Sequence, residues 1–477
     1  MKQMFIGGRW LAAQDGQTIP VVSPADGETF DQIPRGAAHE IDQAVAAARA
    51  ALEGPWGRLS ATERGRILMK IGEAVLAHEE ELAQIESRDT GKPLTTARND
   101  IKVLARYFEF YGGAADKVHG ETIPFLAGHQ VSLLREPLGV TAHIIPWNYP
   151  AQMLGRTVAP ALAMGNATVL KPAEDTSLSA LRFAEIATAA GLPEGALNIV
   201  TGLGEEAGAA LAAHPGIDFI SFTGSNEVGT LVQQAAARNA VKCVLELGGK
   251  SPQIVFDDVD VARAVPIIVR AIVQNAGQTC TAGSRLLVQR SIFDVFVGRV
   301  AEAFAKVRVG TPEMDFDCGP LMNPAQHKRV QRYIDDARAA GIPVLAEGMI
   351  AVDAPKTGYY VKPTLFGPVP RDAALAREEV FGPVLAAMPF EDEADAIALA
   401  NGTEFGLLAA VWTENAGRLQ RVAKAVRAGQ VFMNCYGAGG GVELPFGGTK
   451  RSGHGREKGL LALEELSITK TLVHFHG

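Results

Sequence analysis

Cysteine is scarce in this chain: four occur in 477 residues (Cys243, Cys280, Cys318 and Cys435), with no CxxC pair and no histidines beside them at metal-ligand spacing. A zinc centre and a disulfide framework are therefore poor readings; no metal is expected, and free thiols in a reducing compartment fit better. Long hydrophobic runs are missing as well. Apolar residues make up 47% of the chain, yet no unbroken stretch is long enough to span a bilayer, so no membrane association is expected. The start, MKQMFIGGRW, lacks a basic segment followed by an apolar one and a small-residue cleavage site, which makes a cytoplasmic location the expectation. Positive charge is in deficit, with 45 basic against 53 acidic residues and a formal charge of −8. That leaves no broad cationic surface for a phosphate backbone and argues against nucleic-acid binding. Short-period repeats and low-complexity tracts are absent too.

The length exceeds one ordinary core, so two or three domains are expected, with interior enough to keep water from a reaction. After a strand-like entrance from Lys2 to Val22, the first hundred residues read mostly as helix. Ser60 followed by Glu63 has capping-box spacing, and Ile67, Leu68, Ile71, Val75 and Leu76 recur at helical intervals toward the core. From Gly139 to Gly249 short apolar strands alternate with helical segments: GVTAHIIPW, ATVLKP, LNIVTG, DFISFTGS and KCVLELGG. A second alternating unit follows from Ser251 to Asn434, with strand candidates SPQIVF, SRLLVQ, YYVKPTLF, GPVLAAMPF, LLAAVW and QVFMN. Such alternation predicts an α/β fold of mostly parallel sheets, with ligands beyond the carboxyl ends of the strands. The segment from His119 to Pro137 interrupts the first unit, and the tail from Glu464 to His476 is strand-like. Exposed strands of this kind favour subunit pairing.

The strand ends carry the chemistry. Glu246 in ELGGK and Cys280 in GQTC stand 34 positions apart; a thiolate can hold a carbonyl as a covalent adduct, and a carboxylate beside it can activate the water that removes the acyl group. Against this, a lone cysteine is more often a small buried apolar residue. DFISFT ends in Gly224-Ser225, with Gly229 five positions on; backbone N–H groups at such a helix start can bind a pyrophosphate, although glycines in this spacing also serve plain turns. At Lys171-Pro172-Ala173-Glu174 a lysine can donate to ribose oxygens and a glutamate can accept from ribose hydroxyls while repelling a 2′-phosphate, which favours NAD over NADP. The alternative is a surface salt bridge. In PWNYP, Asn148 can donate to an oxyanion or simply occupy a tight turn beside proline.

Together PWNYP, KPAE, FTGS, ELGGK, GQTC, EEVFGPV and PFGG, in that order, resemble the aldehyde dehydrogenase superfamily over nearly the whole chain. The resemblance implies a Rossmann-type cofactor domain (1–118 and 138–246), an α/β catalytic domain (247–450) and a small β oligomerisation element (119–137 and 464–477), assembled as homodimers or homotetramers. It implies Cys280 as nucleophile, Glu246 as general base, and Asn148 as oxyanion donor beside the Cys280 backbone N–H. Lys171 and Glu174 would meet the adenosine ribose, and Gly224 and Ser225 the pyrophosphate. Glu379 would meet the nicotinamide ribose and Phe381 would pack near the nicotinamide, with Ile145 and Trp147 also on the cofactor. The expected activity is NAD-dependent oxidation of an aldehyde to a carboxylic acid through a cysteine thiohemiacetal and thioester. A CoA-acylating semialdehyde dehydrogenase is the rival, disfavoured by Glu246; a non-catalytic relative is another.

Tyr149, Gln152, Met153, Arg156, Thr279, Thr281 and Phe446 fall where the family builds its substrate tunnel. Arg156 is unusual, since several relatives place a bulky aromatic there. A guanidinium suits an anionic or polar end of the aldehyde, or pairs with a protein acid such as Glu443. The loop Tyr436-Gly437-Ala438-Gly439-Gly440-Gly441 departs from relatives that carry an aromatic, which predicts a wider tunnel and weakens a betaine-aldehyde preference. Broad, aromatic or semialdehyde specificity is the expectation. Lys450 and Arg451 read as a solvated basic pair.

Overall fold

Residues 2–437 and 441–477 are described by a computed structural model. Five parallel strands form the heart of the first sheet, in the spatial order Leu197–Ile199, Ala167–Lys171, Val140–Ile144, Phe219–Thr223, Lys242–Glu246. Val140–Ile144, Ala167–Lys171 and Phe219–Thr223 are buried along their whole length, which is why they read as continuous apolar runs rather than alternating ones. The two strands after Val140–Ile144 in sequence lie on one side of it, and the next two on the other. The order therefore reverses between Val140–Ile144 and Phe219–Thr223, and a crevice opens outside their carboxyl ends. Antiparallel Met4–Ile6 and Arg9–Leu11 extend one edge, and the two-residue strand Gly453–His454 pairs with Leu245 and Glu246 at the other.

Helices cover this sheet. The helix Ala61–Ala77 starts at Ser60, whose side chain accepts from the Glu63 N–H while the Glu63 carboxylate accepts from the Ser60 N–H. Leu68, Ile71 and Val75 are buried as the helical spacing requires, but Leu76 is exposed. It shares its face with Met69, seven residues earlier and also exposed, because positions two turns apart stack on one side of a helix.

The second sheet orders its strands Val344–Glu347, Thr364–Phe366, Val384–Phe390, Arg285–Gln289, Pro252–Val255, Leu408–Trp412, Gln430–Met433, all parallel except the first. It has its own apolar core, distinct from that of the first sheet. A third, antiparallel sheet pairs Ser467–Phe475 with His129–Pro137 and that strand with Glu121–Ile123. The two interrupting segments singled out in the sequence thus form one unit, with Phe125, Leu126, Leu472, Val473 and Phe475 exposed. Among the described residues no helix is long and apolar enough to cross a membrane.

Candidate active site

Each candidate residue sits where a strand or helix ends. Val140–Ile144 runs out through Ile145-Pro146-Trp147 to Asn148, and the next helix, Pro150–Ala163, opens with proline at its first turn. The Asn148 carbonyl accepts from Lys92 Nζ at 3.1 Å and from Asn275 Nδ2 at 2.9 Å. Lys92, fully buried, is held in turn by Asp100 at 2.6 Å and Glu86 at 3.3 Å. The Asn148 side-chain amide donates to Gln278 O at 2.9 Å, which leaves its second N–H for another acceptor. These bonds hold Asn148 from both its backbone and its side chain and leave one amide N–H available.

Cys280 follows the helix Val261–Val273. Asn275, Ala276 and Gly277 take left-handed backbone conformations with φ of 49°, 53° and 72°. For Asn275 and Ala276 this is strain, of the kind that persists at functional sites when the surroundings enforce it. A Cβ on Gly277 would stand 2.2 Å from Gly382 backbone atoms, and one on Gly249 would stand 2.3 Å from the Cys280 carbonyl. ELGGK and GQTC thus need glycine for close backbone approach. Glu246 ends the strand Lys242–Glu246, and its carbonyl accepts from the Gly224 N–H at 3.0 Å.

Asn148, Glu246 and Cys280 open on one cavity of about 1210 Å³ between the carboxyl ends of the first sheet and the segments leading into the second. Burial pushes the Cys280 thiol up to about 12, with the Arg156 guanidinium pulling the other way. Burial likewise raises the Glu246 carboxyl to about 8 against the same arginine, helped by Glu457. Both shifts favour the neutral thiol and the neutral carboxyl over their charged forms.

One end of the cavity lies at the strand-order reversal and is lined by Trp147, Thr223, Gly224, Ser225, Glu379 and Phe381. Ser225 caps the 13-residue helix Asn226–Arg238, accepting from the Val228 N–H. Glu379 accepts from the Gly249 N–H at 2.8 Å, and burial raises it to about 7. The Trp147 and Phe381 rings meet edge to face at 5.4 Å. An open helix start, apolar rings and carboxylates beyond parallel strands fit a dinucleotide. Ile145, Lys171 and Glu174 lie off this lining. Lys171 Nζ pairs with Glu174 at 2.7 Å, but Lys171 is only 2% exposed, so the pair is no surface bridge. Burial works against the Glu174 charge, yet Lys171 outweighs it and holds the carboxyl below its ordinary value.

The aldehyde dehydrogenase family model matches residues 10–472. The chain belongs to the aldehyde dehydrogenase family. It is 45% identical over 473 residues to a hydroxyisobutyraldehyde dehydrogenase of Mycolicibacterium austroafricanum, covering 98% of this chain and 92% of that protein. Among solved structures, a putative aldehyde dehydrogenase from Burkholderia cenocepacia is 59% identical with a TM-score of 0.99, covering 100% of both chains. A betaine aldehyde dehydrogenase from Staphylococcus aureus, solved in complex with NAD+, is 34% identical with a TM-score of 0.96, covering 100% of this chain and 95% of its own.

Within this family fold, Tyr149, Gln152, Met153, Arg156, Thr279, Thr281 and Phe446 all line the cavity. Two expectations need correction. Arg156 does not pair with Glu443, which bonds Arg106 instead; its Nε meets Glu457, its Nη2 stands 3.5 Å from Glu246, and its guanidinium lies 4.2 Å from the Phe446 ring centroid. In the loop after Gln430–Met433, Tyr436 lines the wall and its hydroxyl donates to the Thr281 carbonyl, while Phe432 lines it from the strand itself. Ala438, Gly439 and Gly440 lie outside the described residues. Lys450 is not simply solvated: its ammonium donates to the carbonyls of Asn401 and Thr403 at 3.0 and 3.1 Å, while Arg451 is exposed beside Glu404. Sequence reasoning missed Glu457, whose tie to Arg156 spans 301 positions, and Lys458, a buried lysine on the cavity wall. Their sequence signal was slight, a charged pair in GREKG beside an apolar stretch.

Proposed function

We propose that this chain oxidises an aldehyde to its carboxylic acid with NAD as hydride acceptor. The observation that carries the reading is the opening of Cys280, Glu246 and Asn148 on one cavity that continues to the strand-order reversal. Trp147, Gly224, Ser225, Glu379 and Phe381 would hold the cofactor's pyrophosphate and nicotinamide end, and Lys171 and Glu174 its adenosine ribose. When bound, NAD supplies the acceptor for the hydride that leaves the former aldehyde carbon.

The chain's own groups do the rest. Cys280 Sγ passes its proton through water to solvent and adds to the carbonyl carbon, forming a thiohemiacetal whose oxygen is held by the free Asn148 amide N–H and the Cys280 backbone N–H. After oxidation the acyl group remains on Cys280 as a thioester. Glu246 in its carboxylate form takes a proton from water, the resulting hydroxide attacks the thioester, and the thiol and the acid are released. Retention of Glu246 supports water over CoA as the acyl acceptor.

The first sheet and its helices (1–118 and 138–246) form the proposed cofactor domain, 247–450 the catalytic domain, and 119–137 with 464–477 the oligomerisation element. The exposed apolar residues of that three-stranded sheet support a homodimer or homotetramer. Four free cysteines support a reducing compartment, and we place the protein in the cytoplasm. The test is NADH formation by the parent and by Cys280→Ala, with and without CoA. Turnover that needs Cys280 and not CoA is expected; near-normal turnover by Cys280→Ala overturns the covalent route.

A further inference from the structure

Arg156 is turned toward protein acids, with Nε on Glu457 and Nη2 3.5 Å from Glu246. Lys458 lines the same cavity and is 8% exposed. Its Nζ stands 5.6 Å from the centroid of Phe446, the ring on which Arg156 also lies. The backbone on both sides is pinned: Phe446 and Glu457 exchange two N–H···O bonds at 2.7 and 2.8 Å, and the Gly459 N–H donates to Val442 O at 2.8 Å. Between these clamps Lys458 adopts a left-handed conformation with φ of 62°, which a residue with a Cβ holds only at a cost met by its surroundings.

The titratable groups facing Lys458 are Arg156 from the helix Pro150–Ala163, Glu443 from the segment before PFGG, its neighbour Glu457, and Cys280. Lys458 has interactions of its own, but each carboxylate is shared with an arginine. Glu443 accepts from Arg106 Nη2, and Glu457 meets Arg156 Nε and accepts from Ser221 Oγ at 2.7 Å. Three cations therefore converge on two of these carboxylates beside a cavity walled by Tyr107, Tyr149, Phe446 and Tyr436.

We propose that Lys458 determines specificity by receiving an anionic oxygen, of a carboxylate or a phenolate, at the end of the substrate away from the aldehyde. This rests on the dehydrogenase reading above. Burial, and then Arg156, bring the Lys458 ammonium down to about 7, and an anion placed beside it favours the charged form. A charge-assisted contact of this kind is worth about tenfold or more in kcat/KM.

The experiment compares parent, Lys458→Met and Lys458→Arg on two matched pairs with NAD: succinate semialdehyde against its methyl ester, and para-hydroxybenzaldehyde against para-methylbenzaldehyde. Methionine keeps an unbranched side chain of similar length and removes the charge. The parent should prefer the charged member of a pair; Lys458→Met should lose about tenfold or more on it and no more than about threefold on the neutral member, with Lys458→Arg recovering part of the loss. The pair that responds identifies carboxylate or phenolate as the anion. Equal losses on both members of each pair, or a parent without charge preference, overturn the assignment and leave the dehydrogenase standing. No NADH from any of the aldehydes overturns the dehydrogenase reading itself.

Discussion

Arg156 Nη2 stands 3.5 Å from Glu246 Oε2 while Nε of the same guanidinium meets Glu457. Burial opposes the Arg156 charge, and Glu457 and then Glu246 more than offset it. Removing the cation would take its opposite charge from two buried carboxyls, a change that costs about 3–5 kcal/mol. Arg156→Met should lower the thermal midpoint. Glu246, already raised to about 8, should move further up, so activity should climb through a more alkaline range than in the parent, because the base is the carboxylate form that grows with pH. Losses should be equal on charged and neutral aldehydes; a selective loss on the charged one would make Arg156 a substrate contact.

Asn148 is fixed through its carbonyl by Lys92 and Asn275 and through its amide by Gln278. Asn148→Ala should reduce kcat by about 10²- to 10³-fold, the usual loss of one oxyanion donor. KM for NAD should change little. Steady-state kinetics decide it, and a change in KM alone would place Asn148 outside the chemistry.

Glu174 carries a negative charge stabilised by Lys171. If that pair faces the adenosine ribose, Glu174→Gln should raise the NADP to NAD ratio of kcat/KM by about tenfold, equivalent to ~1.4 kcal/mol of relieved repulsion. An unchanged ratio would move the pair away from the cofactor.

His143 lies buried in the central strand with Nε2 2.9 Å from Thr141 Oγ1, and burial brings it down to about 3 from an ordinary 6.5. Between those values the unfolded chain binds a proton that the native state refuses, so stability is complete above the unfolded value and falls as pH drops, by about 1.4 kcal/mol per pH unit. The thermal midpoint of His143→Leu should therefore fall less than that of the parent between about pH 7 and about pH 5. Parallel declines would assign the acid sensitivity elsewhere.

Every apolar stretch read as a strand between Gly139 and Asn434 contains one, because parallel strands buried on both faces announce themselves as short hydrophobic runs closed by glycine or proline. The strand-end motifs were legible for the same reason: ligands gather where those runs stop. Pairings across the chain were not. Arg156 could be seen as odd, but its partner Glu457 is set by tertiary packing, and Lys458 becomes notable only once Phe446 and Glu457 pin it to the cavity wall. The edge strand Gly453–His454 is too short to carry a period. Leu76 was misplaced because Gly72, four residues before it, is buried, whereas Leu76 itself follows the exposed row of Met69.

The covalent account is tested most directly by intact-protein mass spectrometry of Glu246→Gln after mixing with NAD and an aldehyde that the parent oxidises. Without the base, the acyl group should stay on Cys280, giving one equivalent of NADH per active site and a mass increase equal to the acyl group, absent when Cys280 is alanine. Sustained NADH production with no acyl mass on the protein would contradict it.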